Sequence, residues 1–257
     1  MGNEYHAFID KIYDKLGINL RLYKENQMKR RLTSLKNKRD FTSFQSYYYA
    51  LQKDEYLLDE FIDRLTINVT EFYRNPKRWD ILQKTVFPKL LQNSTSLNIW
   101  SAACSTGEEP YSIALMLTEH FPQVSFNILA TDLDEKALAK AEHGEYISRS
   151  LKDLPESLKH KYFTKKGSLY IIDQSLKKHI TFKKHNLLSD PYPKNVDLIV
   201  CRNVLIYFTD EAKQMIYKKF SQSLKEAGVL FVGSTEQIFN PAQYNLQVLE
   251  TFFYEKY

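Results

Sequence analysis

From Leu97 onward, apolar runs of strand length alternate with segments of helical period, and few folds accommodate that pattern. "LNIWSAA" precedes "EPYSIALMLTEHF", and "SFNILATD" precedes "DEKALAKAEHG". "VDLIVCRN" is followed by "DEAKQMIYKKFSQSLKEAG" and then by "VLFVGST". Such alternation predicts a parallel sheet with right-handed crossovers and helices on both faces. The closing "NLQVLETFFYEKY" alternates with period two and predicts an antiparallel pair. The expected class is therefore α/β, doubly wound and mostly parallel.

Residues 1–75 carry apolar positions at helical spacing without a strand signal, as in "FIDKIYDKLGI" and "EYLLDEFIDRLTI". They predict an all-helical N-terminal domain, followed by a connector at 76–96 and the α/β domain at 97–257. Within the latter, 145–182 contains "YFTKKGSLYIIDQSLKKHI", whose short strands about a Lys-Gly turn predict a small inserted antiparallel β-subdomain. The N-terminus lacks an apolar signal-peptide core, and no run is long enough to span a bilayer. The two cysteines, Cys104 and Cys201, are far apart in apolar strand contexts. A cytoplasmic, reducing compartment is the expectation. His143, His160, His179 and His185 share no ligand spacing with Cys or acids, so no metal site is expected.

In a doubly wound sheet the ligand sits at the carboxyl ends of the strands, where strand order reverses. The first such loop is "AACSTGEEP". Ala102, Ala103, Ser105 and Gly107 are small enough for close backbone approach, and Pro110 suits the first turn of a helix. Glu108 and Glu109 occupy the field of the helix N-terminus that would otherwise hold a phosphate. Alone, such a pair is most simply a complement to the helix dipole. Here "ILATDLD" ends the next strand in acids, with Asp132 placed to accept both ribose hydroxyls and Asp134 placed to cap the following helix. Together these residues suit S-adenosylmethionine, which joins a nucleoside to a cationic amino-acid tail without phosphate.

The blocks "INVTEFYRN", "IWSAACSTGEEPYSIA", "ATDLDEKAL", "FKKHNLL", "CRNVLIYF" and "GVLFVGSTEQ" come in the order found in chemotaxis receptor methyltransferases (CheR), and the chain resembles that family over nearly its whole length. The resemblance implies S-adenosylmethionine-dependent O-methylation of receptor glutamates, with S-adenosylhomocysteine as product. It implies cofactor contacts from Asn68, Thr70 and Arg74 of the connector and from Ala103 of the loop. Glu108 or Glu109 matches the acid that meets the methionine moiety, with Glu109 preferred, and Asp132 matches the ribose-binding acid. Asn186 and Leu187 match the adenine side, and Arg202 and Asn203 the end of the fourth strand. Cys104 stands where some members carry alanine.

A glutamate carboxylate is ionised at neutral pH and needs no general base to act as nucleophile. Positioning and removal of water are the enzyme's main tasks. Arg74 has the forked geometry to hold such a carboxylate, and Tyr207 can add a hydrogen bond. On spacing alone, Tyr207 in "VLIYF" reads as a core aromatic. The stretch "MKRRLTSLKNKR" carries Lys29, Arg30, Arg31, Lys36, Lys38 and Arg39 without an acid, in a chain of net charge +5. In the context of the resemblance it is a docking face for acidic receptor helices, with Met28, Leu32 and Leu35 turned to the core. The cytoplasmic helical domains of chemotaxis receptors are the expected partner. The chain is expected to act as a monomer, without nucleic acid and without inserting into the membrane. A base methyltransferase is disfavoured because "CRNVLIYF" lacks the proline pair expected after the fourth strand. A sensor that binds the cofactor without transferring methyl is separated from an enzyme only by turnover.

Overall fold

Four helices open the computed structural model, which describes residues 2–66, 68–92 and 94–257. They are α1 (Gly2–Leu16), α2 (Glu25–Lys38), α3 (Phe44–Lys53) and α4 (Glu55–Leu65). Side chains set their starts: Ser43 accepts the Ser46 N–H and Asp54 the Leu57 N–H. Their apolar stripes meet around Phe8, Leu32, Tyr47 and Phe61. Residues 68–75 then leave the helices as an irregular strap. α5 (Pro76–Ile81) and α6 (Phe87–Leu90) follow, joined by a π turn at Leu82–Val86. Pro88 has no N–H to continue the α pattern, and the Phe87 N–H reaches back to the Leu82 carbonyl.

The alternating part then runs β1 (Ser96–Ala102), α7 (Glu108–His120), β2 (Ser125–Asp132) and α8 (Glu135–His143). An excursion follows, with β3 (Glu145–Ile147), α9 (Glu156–Tyr162), β4 (Phe163–Lys166), β5 (Leu169–Ile172) and α10 (Gln174–Lys177). The chain returns through β6 (Ile180–Lys184), β7 (Val196–Cys201), α11 (Asp210–Ser223), β8 (Leu224–Val232), β9 (Leu246–Glu250) and β10 (Phe253–Lys256). The main sheet has the order β6-β2-β1-β7-β8-β10-β9, and β3-β5-β4 form a separate antiparallel sheet. β10 alone runs against the rest, antiparallel to both β8 and β9. β1 pairs in parallel with β2 on one side and β7 on the other, which makes its end the switch point.

Three boundaries differ from the sequence expectation: the helices give way to the strap before residue 75, the insert ends before β6, which joins the main sheet at Ile180, and α11 is shorter than its pattern. The helical pattern continues to Gly228, yet α11 stops at Ser223 and β8 begins at Leu224. Leu224 pairs with Val196, and the Lys225 ammonium bonds both oxygens of Asp197 at 2.7 and 2.9 Å. The register then shifts before Leu198 meets Val229, with Ala227 at φ +60°. Tertiary pairing overrides local helical propensity there.

Two apolar layers cover the sheet. On one face, Trp100, Ile199 and Phe220 merge with the core of the helical domain through Leu205 and Phe208. On the other, α5 to α7 and the small sheet pack through Trp79, Leu82, Tyr111 and Tyr146. The helical domain is also stitched to the sheet by backbone. Lys24 N–H donates to the Tyr207 carbonyl, and Thr209 N–H to the Leu22 carbonyl, each at 2.9 Å. Among the described residues, no helix is long and apolar enough to cross a membrane.

Candidate active site

β1 and β2 end level, with Ala102 opposite Thr131, so the loop after β1 meets the acids that close β2. Ala103 and Ser105 turn this loop at φ +63° and +49°, a left-handed geometry costing about 1–2 kcal/mol at a non-glycine residue. Gly107, at φ +93°, completes the turn, and a Cβ there would stand 2.8 Å from that of Ala141. Asp132 holds the strained loop: its carboxylate accepts the Ser105 N–H at 2.8 Å and the Asp134 N–H at 3.0 Å. One lone pair on each oxygen remains for a ligand. Burial pushes the Asp132 pKa up to about 6, against these hydrogen bonds. Asp134 caps α8 through the Lys136 and Ala137 N–H groups.

The two glutamates that open α7 have different fates. Glu109 lines the cleft, accepts the Ser101 hydroxyl at 2.9 Å and lies 3.6 Å from Nη1 of Arg202. Burial raises its pKa, and the Arg202 guanidinium acts in the opposite direction. Glu108 does not reach the cleft. It turns beneath the loop to the Thr106 hydroxyl at 2.7 Å, and burial pushes its pKa up to about 7.

The strap crosses above. Asn68 lines the cleft, but its amide is engaged: Nδ2 donates to Asp134 at 2.8 Å and Oδ1 accepts the Ser105 hydroxyl at 2.8 Å. It clips the strap to the loop rather than offering free donors. Thr70 and Arg74 follow on the cleft wall. The Arg74 Nη1 donates to the Val69 carbonyl at 2.9 Å, which leaves the other guanidinium edge at the cleft mouth.

The far wall comes from the ends of β6 and β7. Leu187 supplies an apolar surface, while the Asn186 amide reaches Gly17 at 3.4 Å and accepts the Leu188 N–H at 3.0 Å. Arg202 is buried over the rings of Trp79 and Phe231 and donates to the Arg74 carbonyl at 2.7 Å. Its Nε has no partner among the described residues. Asn203 sits at φ +62°, and Tyr207 closes the wall, half-buried. Burial raises the Tyr207 pKa, opposed by Arg31 and Arg74, so the phenol keeps its proton at neutral pH. Non-glycine residues with left-handed backbone gather around the cleft (Ala103, Ser105 and Asn203, with Tyr73 and Asn75 in the strap), as is common where function dictates geometry.

Several wall residues escaped sequence reasoning, among them Tyr23, His185 and Phe208. Tyr23 comes from the helical domain and pairs with Phe208 in a backbone bridge, their rings 4.8 Å apart. No local pattern marks such a residue, because its place depends on how two distant segments dock.

The basic stripe on α2 is narrower than expected. Lys36 is buried and donates to the Phe41 carbonyl at 2.6 Å, because its aliphatic stem continues the core stripe of Met28, Leu32 and Leu35. It offers no docking surface. Arg39 is tied to Glu60 at 2.7 Å, and Lys29 lies over the Tyr5 ring at 5.5 Å. Arg30, Arg31 and Lys38 line an open groove with Arg64 that ends at Tyr207. Arg31 stacks on the Tyr207 ring at 5.2 Å and donates to the Leu65 carbonyl at 3.0 Å.

The cleft thus presents an acid and two guanidinium groups at one end, Asp132 in the middle, and Leu187 with Asn186 at the other. That donor set fits a nucleoside with a zwitterionic tail. Arg202, which lines the cleft 3.6 Å from Glu109, suits the tail's carboxylate, and Glu109 suits its ammonium. A phosphate would face the Glu109 and Asp132 carboxylates instead.

Comparison with known proteins agrees. Residues 68–253 match the family model "CheR methyltransferase, SAM binding domain", and residues 3–66 match "CheR methyltransferase, all-alpha domain". The chain is 50% identical over 254 residues to a chemotaxis protein methyltransferase of Listeria monocytogenes, covering 98% of this chain and 97% of the relative. It is 49% identical to that of Listeria innocua, with the same coverage. It is 37% identical over 250 residues to the chemotaxis protein methyltransferase of Borreliella burgdorferi, covering 92% of this chain and 88% of the relative.

Proposed function

The chain belongs to the CheR methyltransferase family, with S-adenosylmethionine as its cofactor, and on that premise we propose that it methylates glutamate side chains of chemotaxis receptors, forming γ-glutamyl methyl esters. When bound, the cofactor supplies an electrophilic methyl group on a sulfonium. The chain's residues do the rest. Glu109 and Arg202 hold the amino-acid tail, Asp132 the ribose, and Leu187 with Asn186 the adenine side.

The observation that carries this reading is the character of the acceptor end. Arg74 and Tyr207 line it together, a guanidinium beside a phenol that burial keeps protonated, and both offer donors. His185 also borders the cleft, but its Nε2 engages the Pro191 carbonyl at 3.2 Å, and burial lowers its pKa. Such a site suits an acceptor that arrives already ionised, and a glutamate meets that requirement. The free edge of Arg74 orients the carboxylate, and the Tyr207 hydroxyl donates to it. Closure of the cleft around the pair removes the water that would otherwise solvate the nucleophile.

The groove of Arg30, Arg31, Lys38 and Arg64 leads to Tyr207 and supports docking of an acidic receptor helix along α2. Transfer of labelled methyl from S-adenosylmethionine to receptor-containing membranes, followed by mild alkali, tests the reading. Volatile label released by base supports glutamyl esters. Alkali-stable label, or cofactor binding without transfer, rejects them. Arg74→Ala is expected to lower transfer at least about tenfold with folding retained; full activity with normal cofactor binding removes Arg74 from the acceptor site.

A further inference from the structure

The motif "GVLFVGSTEQ" matches the family, but the reaction as derived so far makes no use of its glutamate. Glu236 follows β8 and is buried, with 5% of its surface exposed. Its carboxylate is surrounded by backbone donors. One oxygen accepts the N–H groups of Asn203 and Gly233, each at 2.7 Å. The other accepts those of Leu205 at 2.7 Å and Ile206 at 3.3 Å. Three of these four donors belong to the segment after β7 that carries Asn203, Val204 and Tyr207 onto the cleft wall.

The segment needs such a partner. Asn203 is held at φ +62°, and the turn from Asn203 to Ile206 points several N–H groups inward, where water cannot satisfy them. A buried carboxylate has lone pairs for all four donors, whereas an amide of the same shape has a single acceptor oxygen. The neighbourhood is built around that carboxylate. A Cβ on Gly233 would lie 2.2 Å from the Glu236 oxygen and 2.8 Å from the Asn203 nitrogen, so only glycine fits there. The Glu236 loop is anchored in turn, with its N–H bonded to the Gly233 carbonyl at 2.9 Å and Ile238 N–H donating to the Tyr254 hydroxyl at 2.8 Å.

We propose that Glu236 is a positioning residue for methyl transfer: its carboxylate sets the shape of the Asn203–Tyr207 segment and so places Tyr207 against the acceptor. This rests on the glutamate methylation reading above. Glu236 touches neither cofactor nor acceptor and acts through Tyr207.

The test is a double-mutant cycle with Glu236→Gln and Tyr207→Phe, read by steady-state methyl transfer at saturating cofactor and receptor, with S-adenosylhomocysteine affinity and thermal melting measured in parallel. The Glu236→Gln protein should melt cooperatively and keep cofactor affinity within about fivefold, while kcat falls about tenfold or more. The double variant should be no slower than the slower single variant, because both changes remove one contact. Additive losses, or a Glu236→Gln kcat within twofold of wild type, overturn the proposal. Amide hydrogen exchange on the wild-type protein decides the matter if Glu236→Gln does not fold. The Asn203, Leu205 and Ile206 amides should be protected as strongly as those of β8, and rapid exchange there rejects the assignment. A wild-type protein that binds cofactor but transfers nothing to receptors rejects the methylation reading instead, and the exchange result then stands on its own for Glu236.

Discussion

The loops after β1 and β7 face each other across one cleft, and they are shaped in different ways. The loop after β1 is held largely by near neighbours: small residues bend it, Gly107 completes it, and Asp132 on the adjacent strand accepts its Ser105 N–H. The segment after β7 is held from afar. Glu236 gathers its N–H groups from below, Lys24 bonds its Tyr207 carbonyl, and Arg31 covers the Tyr207 ring. The side assigned to the cofactor is thus set by strand order and local turn chemistry, whereas the side assigned to the acceptor is set by the Glu236 carboxylate and by docking of the helical domain. The acceptor side can therefore change its alignment without dismantling the cofactor side.

The strongest way to break this contrast is Asp132→Ala. It removes the proposed ribose acceptor and the latch of the loop together, and S-adenosylhomocysteine affinity should fall at least about 100-fold by calorimetry. The same carboxylate predicts a pH dependence. With its pKa raised to about 6, wild-type affinity should decline as pH drops through that value, because the protonated acid accepts more weakly. An affinity unchanged in the variant would remove Asp132 from the cofactor site.

Glu108→Gln sharpens the contrast within α7. Burial raises this carboxyl from 4.5 to about 7, so the folded state holds its proton more tightly than the unfolded state does. Stability should therefore fall as pH rises from about 4.5 to about 7 in the wild type, and this component should vanish in the variant. At pH 8 the variant should be more stable by up to about 3 kcal/mol in denaturant unfolding, with cofactor affinity retained. Equal stability at pH 8, or lost affinity, would contradict the separation of Glu108 from Glu109.

The smallest effect is expected from Arg31→Gln. Loss of its stacking on Tyr207 should lower kcat about three- to tenfold, in line with a cation–π contact of about 1 kcal/mol. Cofactor affinity should stay within twofold. An equal loss in both quantities would show that the two sides are not separable.

How far the site was legible in the sequence follows the same division. Asp132 and the acids of α7 could be found because strand, loop and helix are contiguous and their chemistry is local. The sequence favours Glu109 over Glu108 without fixing the choice, since adjacent residues at a helix start point in different directions and only packing shows which faces the cleft. Lys36 looked like part of a charged face because a residue type does not reveal where its ammonium goes; a carbonyl at Phe41 drew it inward. β8 began four residues before the helical pattern ended, through pairing of Leu224 with Val196 that no local window contains.

By itself, the sequence determined the alternation that builds a doubly wound sheet, the acids at the ends of β1 and β2, and the all-helical start of the chain. These depend on periodicity and on residues close together along the chain, where propensity and turn chemistry act. Tertiary structure alone decided that Tyr23 reaches the cleft, that Arg31 covers the Tyr207 ring, that Glu236 holds the segment bearing Tyr207, and that the basic groove of α2 also takes in that tyrosine. Those contacts join segments far apart in the chain, and they exist only because burial of a shared apolar core brings the helical domain onto one face of the sheet.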